Sequence, residues 1–172
     1  GSTGSGFFIS NDGYILTNHH VVEDNYHVKV TLREPGNIDS KGPSYVADYV
    51  GFDEDLDLAV LKVNSYQNFD CLTLGDSETV TEGQTVFAIG NPFKSNTWNV
   101  SEGIVSGTAA EAKNNNYYSY IRIDASINPG NSGGALLDKG GEVVAINTLM
   151  RSPRVSGGSN VDVTGNLGIN FS

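Results

Sequence analysis

The sequence predicts an all-β protein of antiparallel strands, arranged as barrels or as a sandwich. Three observations carry this. Short apolar, β-branched runs recur at regular spacing between glycine, proline and asparagine turn signals. No amphipathic pattern of helical period extends beyond about two turns. With 172 residues and 38% hydrophobic content, the chain can bury the core of one domain or of two small packed halves.

Gly6 to Ser10 is short and apolar, Asn11-Asp12-Gly13 is a turn signal, and Tyr14 to Thr17 resumes an extended run, which together predict a hairpin. Two histidines, His19 and His20, follow directly on the predicted strand. Tyr26 to Leu32 alternates, with Tyr26, Val28, Val30 and Leu32 on one side and His27, Lys29 and Thr31 on the other, so His27 is read as solvated. Glu34 to Pro43 reads as a loop, Ser44 to Phe52 as a strand, and Leu58 to Val63 as a strand entered from the acidic stretch Asp53 to Asp57. Between Asn64 and Gln84 the composition turns polar, and the junction between the halves falls there. The N-terminal half covers about residues 1–68 and the C-terminal half about 80–172. Strands are read in the second half at Thr85 to Gly90, Asn99 to Ser106, Tyr118 to Ile123, Gly134 to Leu137, Val143 to Asn147 and Asn166 to Phe171.

Twenty acidic against ten basic residues give a formal net charge of −10, which repels phosphate backbones and anionic membrane surfaces. Nucleic acid is therefore not an expected partner, and Tyr117, Tyr118 and Tyr120 are read as strand and loop residues rather than a base-stacking platform. No apolar run reaches the roughly eighteen residues that cross a bilayer, and the first residues lack the features of a secretion signal. Adjacent histidines on an extended chain face apart and no second ligand cluster has metal-site spacing, so neither metal nor cofactor is expected. The single Cys71 excludes an internal disulfide and, with no cationic neighbour, is read as a small packing residue.

Chemistry concentrates between Asp124 and Leu137, D-A-S-I-N-P-G-N-S-G-G-A-L-L. Ser132 lies in a turn with Gly130, Gly133 and Gly134, where the backbone leaves a hydroxyl exposed and N–H groups unpaired; a capped glycine hairpin is the alternative. As a nucleophile, Ser132 would have the N–H groups of Gly130 and Ser132 near it to receive an oxyanion. G-N-S-G-G also fits the elbow of α/β hydrolases, but there the acid and histidine follow the serine. All three histidines precede Ser132, so its base must come from upstream, from the His19-His20 pair. Asp57, where the acidic loop meets an apolar strand, is the candidate to orient it.

The motifs G-S-G-F-F-I-S-N-D-G-Y-I-L-T-N-H-H-V-V, D-L-A-V-L-K-V, G-N-P-F and the Ser132 stretch, together with L-G-D-S, G-I-V-S, G-E-V-V-A-I-N-T and L-G-I-N-F, run in order from Gly4 to Phe171. They resemble the protease domain of the HtrA/Deg family, among the chymotrypsin-like serine proteases. The resemblance implies two packed six-stranded antiparallel β-barrels with the active site in the cleft between them. It places the general base on His20, the histidine directly before V-V, the orienting acid on Asp57, and the nucleophile on Ser132. His19 stands where the family more often has asparagine, and a structural role is expected for it. The oxyanion hole falls on Gly130, Asn131 and Ser132.

By similarity to the chymotrypsin-like pocket, Ser126 forms the pocket base, with Ile127 on one wall and Asn147, Thr148 and Leu149 along another. Nothing acidic is available there, which implies cleavage after small or medium aliphatic residues. Substrate main chain would add as a strand along Asn147 to Met150, favouring unfolded or extended polypeptide. Asn131 stands where secreted relatives have an aspartate that captures a new N-terminus. Activation would instead depend on ordering the loops Glu111 to Tyr117, Ser126 to Gly130 and Arg151 to Asn166. Family members usually continue into one or more PDZ domains, none of which is encoded in these residues, and homotrimers are common among them. Bacterial members are mostly periplasmic or envelope proteins, and eukaryotic ones occupy organelles. A serine endopeptidase of protein quality control or regulated proteolysis is thus expected, with a latent, triad-bearing peptide-binding module as the competing class.

Overall fold

Eleven strands and very little helix make up the residues described by the computed structural model. These residues are 3–23, 25–33, 41–91, 98–113, 116–128, 130–148 and 165–168. Strands β1 (Phe7–Phe8), β2 (Tyr14–Asn18), β3 (His27–Arg33), β4 (Lys41–Asp53) and β5 (Leu58–Val63) form one antiparallel sheet in the order β1-β2-β5-β4-β3. The predicted first hairpin is present. Gly13 turns it at φ +104°, and a Cβ there would stand 2.6 Å from the Val63 carbonyl oxygen, so only glycine fits. A bulge between Tyr49 and Gly51 bends β4, whose first part pairs with β3 and whose second part pairs with β5.

The second half closes as a barrel. Strands β6 (Thr85–Gly90), β7 (Asn99–Lys113), β8 (Asn116–Ile123), β9 (Ala135–Leu137), β10 (Val143–Thr148) and β11 (Gly165–Gly168) run in the order β10-β11-β8-β7-β6-β9. Alternation along β6 sends Val86 and Ala88 inward to meet Val105, Ile121, Ile123, Leu136 and Val144 in the barrel core. Full closure leaves this sheet without an edge.

Two expectations about the strands need correction. The expectation of six strands in each half holds for the second half, whereas the first shows five among the described residues, with bent β4 bridging its neighbours β3 and β5 directly. An apolar cleft of about 840 Å³ remains, lined by residues of both edge strands, among them Phe8, Val28 and Val30, with Leu61, Phe69 and Trp98. The expected loop Glu111 to Tyr117 is instead the end of a hairpin, since β7 and β8 pair as far as Lys113 and Asn116. The loop Arg151 to Asn166 lies largely outside the described residues, as does the end of the last predicted strand.

Two side-chain placements also differ. Tyr26 precedes β3 and is 88% exposed, while Val28, Val30 and Leu32 do turn inward as the alternation implied. Cys71 is exposed rather than packed, because in its irregular segment Phe69 and Leu72 take the inward positions.

The halves meet through a core of their own. Phe7, Leu16, Ala135, Val143 and Ile146 are buried there, with Leu58, Val60, Leu72 and Leu74 packed against them. This explains the apolar run 58–61 of β5: Ala59, Leu61 and, beyond Lys62, Val63 face the first sheet's core, and Leu58 and Val60 face the second half. The connecting segment hydrogen-bonds to both sides, with Leu72 N–H donating to the Phe8 carbonyl at 2.9 Å and Val143 N–H to that of Thr73 at 2.9 Å. Apolar burial at roughly 25 cal/mol per Å² favours a single arrangement of the two halves, and with it a defined geometry where β2, the Asp57 turn and the Ser132 turn meet.

Candidate active site

Strand β2 ends at Asn18 and passes directly into a single helical turn, α1 (His19–Val22). The two histidines are therefore on a helix, not on extended chain, and successive residues diverge by about 100° around its axis. His19 turns to the first sheet, stacking on Phe52 at 4.4 Å between ring centres and 10° between planes, with Nδ1 2.7 Å from the Tyr49 hydroxyl. Burial, followed by the charge of Glu23, pushes the Tyr49 phenol above its ordinary range, so it keeps its proton. These contacts give His19 the structural setting expected of it.

His20 turns to Asp57. Its Nδ1 lies 2.5 Å from Oδ2, and its backbone N–H donates to Oδ1 at 2.8 Å. Asp57 is held from behind, its carbonyl accepting from His19 N–H and from Asn18 Nδ2, each at 2.9 Å. It sits at φ +54°, in the left-handed region that Asp tolerates better than most side chains, after a turn in which the Asp53 carboxylate accepts from Leu56 N–H at 2.9 Å. The hydrogen bond to Asp57 raises the His20 pKa above 6.5, opposed by burial and aided by the charges of Asp57 and then Glu23. A neutral His20 with its proton on Nδ1 has its lone pair on Nε2, pointing away from the carboxylate.

The Ser132 turn packs against the same corner. Ser132 is 7% exposed and is followed by Gly133 at φ +85°. A Cβ on Gly133 would lie 2.2 Å from the Ser5 carbonyl oxygen, 2.4 Å from Thr17 Oγ1 and 3.0 Å from Asn18 N. The residue after the serine thus abuts the residue two before His20. Gly133→Ala is expected to destabilise the fold by several kcal/mol through clash and backbone strain; a thermal melt within a degree or two of wild type would contradict this close fit. Ser132 and His20 are not joined by a hydrogen bond in this structure, as is common for such pairs before substrate arrives.

Among the described residues the N–H groups of Gly130 and Ser132 have no partner. Asn131 N–H, by contrast, donates to the Asn128 carbonyl at 3.0 Å. Of the three N–H groups expected to receive an oxyanion, that of Asn131 is thus spent within the turn and cannot also face one, and those of Gly130 and Ser132 remain available.

The residues expected to line a substrate pocket separate. Asp124 to Ile127 continues an in–out alternation, so Ser126 is exposed, with its carbonyl accepting from Ser101 Oγ at 2.8 Å, while Ile127 is buried in the barrel core. Asn147 is fully buried behind the Ser132 turn: its N–H donates to the Gly134 carbonyl, its C=O accepts from Gly133 N–H, and Nδ2 reaches the carbonyls of Ile89 and Ala135. It supports the turn and cannot pair with substrate main chain. Thr148 meets Asn18, whose Nδ2 donates to Thr148 Oγ1 at 2.9 Å, and Leu149 lies outside the described residues.

Sequence reasoning missed Asn18. It is completely buried, and its amide joins the Asp57 carbonyl in the first half to Thr148 in the second. The available signal was an amide ending an otherwise apolar strand, where a buried polar group must find partners.

A sheet packed on a six-stranded barrel, with an imidazole–carboxylate pair and a glycine-flanked serine at their junction, defines the chymotrypsin-like class of serine peptidases. The chain belongs to the trypsin-like peptidase family, whose domain description, Trypsin-like peptidase domain, matches residues 4–146. Within it, the resemblance to HtrA/Deg proteases holds. A probable periplasmic serine endoprotease DegP-like of Bartonella henselae is 42% identical over 168 residues, 98% of this chain and 30% of that protein. Another of the same description, from Halomonas elongata, is 46% identical over 147 residues, 86% of this chain and 29% of that one. A solved HtrA-type protease AlgW with tripeptide superposes at TM-score 0.80 with 38% identity, covering 97% of this chain and 52% of its own. The chain spans about 30% of the length of these curated relatives. None of them is described as a latent binding module, and among the described residues no helix is long and apolar enough to cross a membrane.

Proposed function

We propose that this chain is the catalytic domain of a serine endopeptidase that cleaves unfolded or extended polypeptide through an acyl-enzyme, with Ser132 as nucleophile, His20 as general base and Asp57 as its orienting acid. The observation that carries it is the His20–Asp57 pair, with Nδ1 at 2.5 Å from Oδ2, set against a turn whose Gly130 and Ser132 N–H groups have no partner among the described residues.

The steps follow from that geometry. Ser132 Oγ bonds to the scissile carbonyl carbon while its proton passes to His20 Nε2, and the carbonyl oxygen becomes an oxyanion received by the N–H groups of Gly130 and Ser132. Collapse breaks the C–N bond, and the leaving amine takes the proton from His20. Water then attacks the ester, giving a proton to His20, and release of the acid returns that proton to Ser132. Asp57 accepts from Nδ1 throughout and stabilises the imidazolium.

A preference for small or medium aliphatic residues at the cleaved position rests now on Ser126, the expected pocket base, since Ile127 is buried in the barrel core. Asp124, the nearest carboxylate in sequence, is engaged by Ile104 N–H at 2.7 Å. The relatives' periplasmic descriptions support an envelope setting. The test is a fluorophosphonate probe with peptide mapping, run beside hydrolysis of unfolded casein. Labelling at Ser132 and casein cleavage are expected; an unlabelled protein that leaves casein intact would overturn the reading.

A further inference from the structure

We propose that Ser5 is a positioning residue for the oxyanion turn, its hydroxyl setting the orientation of the Gly130–Asn131 peptide. The inference rests on the serine peptidase reading above and assigns a role to a residue at the entry to β1, far from Ser132 in sequence.

Ser5 is 7% exposed and every polar group it carries is used. Its N–H donates to the Ser132 carbonyl at 2.9 Å, and its carbonyl accepts from Thr17 Oγ1 at 2.7 Å. Its hydroxyl donates to the Gly130 carbonyl at 2.6 Å and accepts from Asn91 N–H at 2.8 Å. One residue of the first half thus grips the carbonyls on both sides of Asn131, and ties them to the end of β6.

A peptide unit is planar, so the Gly130 carbonyl and the Asn131 N–H point in opposite directions. Holding the carbonyl toward Ser5 sends the Asn131 N–H the other way, where it meets the Asn128 carbonyl at 3.0 Å. The N–H groups of Gly130 and Ser132, on either side of that peptide, are the ones left over. Gly130, at φ +101°, offers little intrinsic resistance to rotation of this peptide. The Asn131 side chain adds no restraint: it is fully buried, and among the described residues neither its Nδ2 nor its Oδ1 has a hydrogen-bond partner. The side-chain donor that does hold the turn is the Ser5 hydroxyl.

The test compares wild type with Ser5→Ala and with Ser5→Cys, which keeps similar volume but is a weak donor. A peptide substrate gives kcat and KM. A peptide aldehyde, whose adduct carries the tetrahedral oxygen, is compared with the same peptide as its carboxamide, which forms no adduct. For Ser5→Ala, kcat is expected to fall by about ten- to a hundredfold with KM moving less than about threefold, and aldehyde affinity to fall relative to carboxamide affinity by a similar factor. Ser5→Cys should fall between, and serves as the variant read if Ser5→Ala does not fold. A lowered melting temperature with an unchanged aldehyde-to-carboxamide ratio, or a kcat within twofold of wild type, would overturn the positioning role while leaving the peptidase reading intact. A wild-type protein that neither turns over the peptide nor binds the aldehyde would overturn the peptidase reading, and this role with it.

Discussion

Ser132→Ala is expected to lower kcat by about a millionfold, the scale of loss when the nucleophile of such a triad is removed. The size follows from its place in the reaction. Without Oγ there is no acyl-enzyme, and the His20–Asp57 pair has no proton to move. What remains is binding and whatever the Gly130 and Ser132 N–H groups offer to direct attack by water, which is about a thousand- to ten-thousandfold over the uncatalysed reaction. Stability should change little, because the side chain makes no hydrogen bond among the described residues. Casein hydrolysis beside a thermal melt gives the answer: a variant that digests casein at the wild-type rate removes Ser132 from the chemistry, and one that no longer folds shows the hydroxyl to be structural.

Asp57→Asn is expected to cost about four orders of magnitude in kcat, because an amide facing Nδ1 favours the tautomer with the proton on the wrong nitrogen. It should also move the pH profile. The hydrogen bond to Asp57 is the largest influence raising the His20 pKa above 6.5, and burial alone would lower it. In wild type, kcat/KM should therefore rise with pH along a limb centred above 6.5, as His20 becomes neutral. Removing the carboxylate should shift that limb downward while lowering the plateau. Folding stability follows the same linkage. A histidine whose folded pKa is raised contributes stability that is fully present below its unfolded value of 6.5, and loses it as pH rises through the folded value. The melting-temperature gap between wild type and Asp57→Asn should thus be wider near pH 6 than at about pH 9. A gap that widens toward alkaline pH, or an acid limb unmoved by the substitution, would show that His20 does not titrate against Asp57.

The strands were legible wherever local pattern and tertiary demand agree. β5 carries alternation on a chain buried on two sides, and the β1–β2 hairpin is spelled by Asn11-Asp12-Gly13 with Gly13 at φ +104°. The end of the β7–β8 hairpin is not legible in the sequence because asparagines weaken the local signal near Lys113, while the ladder that extends it is carried by backbone hydrogen bonds to which side-chain type is nearly indifferent. The site shows the same division. Chain order excluded a base after Ser132, the motif resemblance chose His20 over His19, and that choice matches the ring that faces Asp57.

What the sequence by itself determined is the strand inventory, the order histidine, aspartate, serine, and the glycines that let the serine turn form. All of these depend on spacing and backbone chemistry that a linear chain already contains. Only the tertiary structure decided that Asn131 spends its N–H within the turn, that Asn147 supports the Ser132 turn from behind, that Ile127 is buried in the barrel core, and that Asn18 and Ser5 bind one half to the other. Hydrogen-bond partners separated by more than a hundred residues leave no trace in local pattern; they exist because the apolar interface between the halves brings those groups into reach where no water can satisfy them.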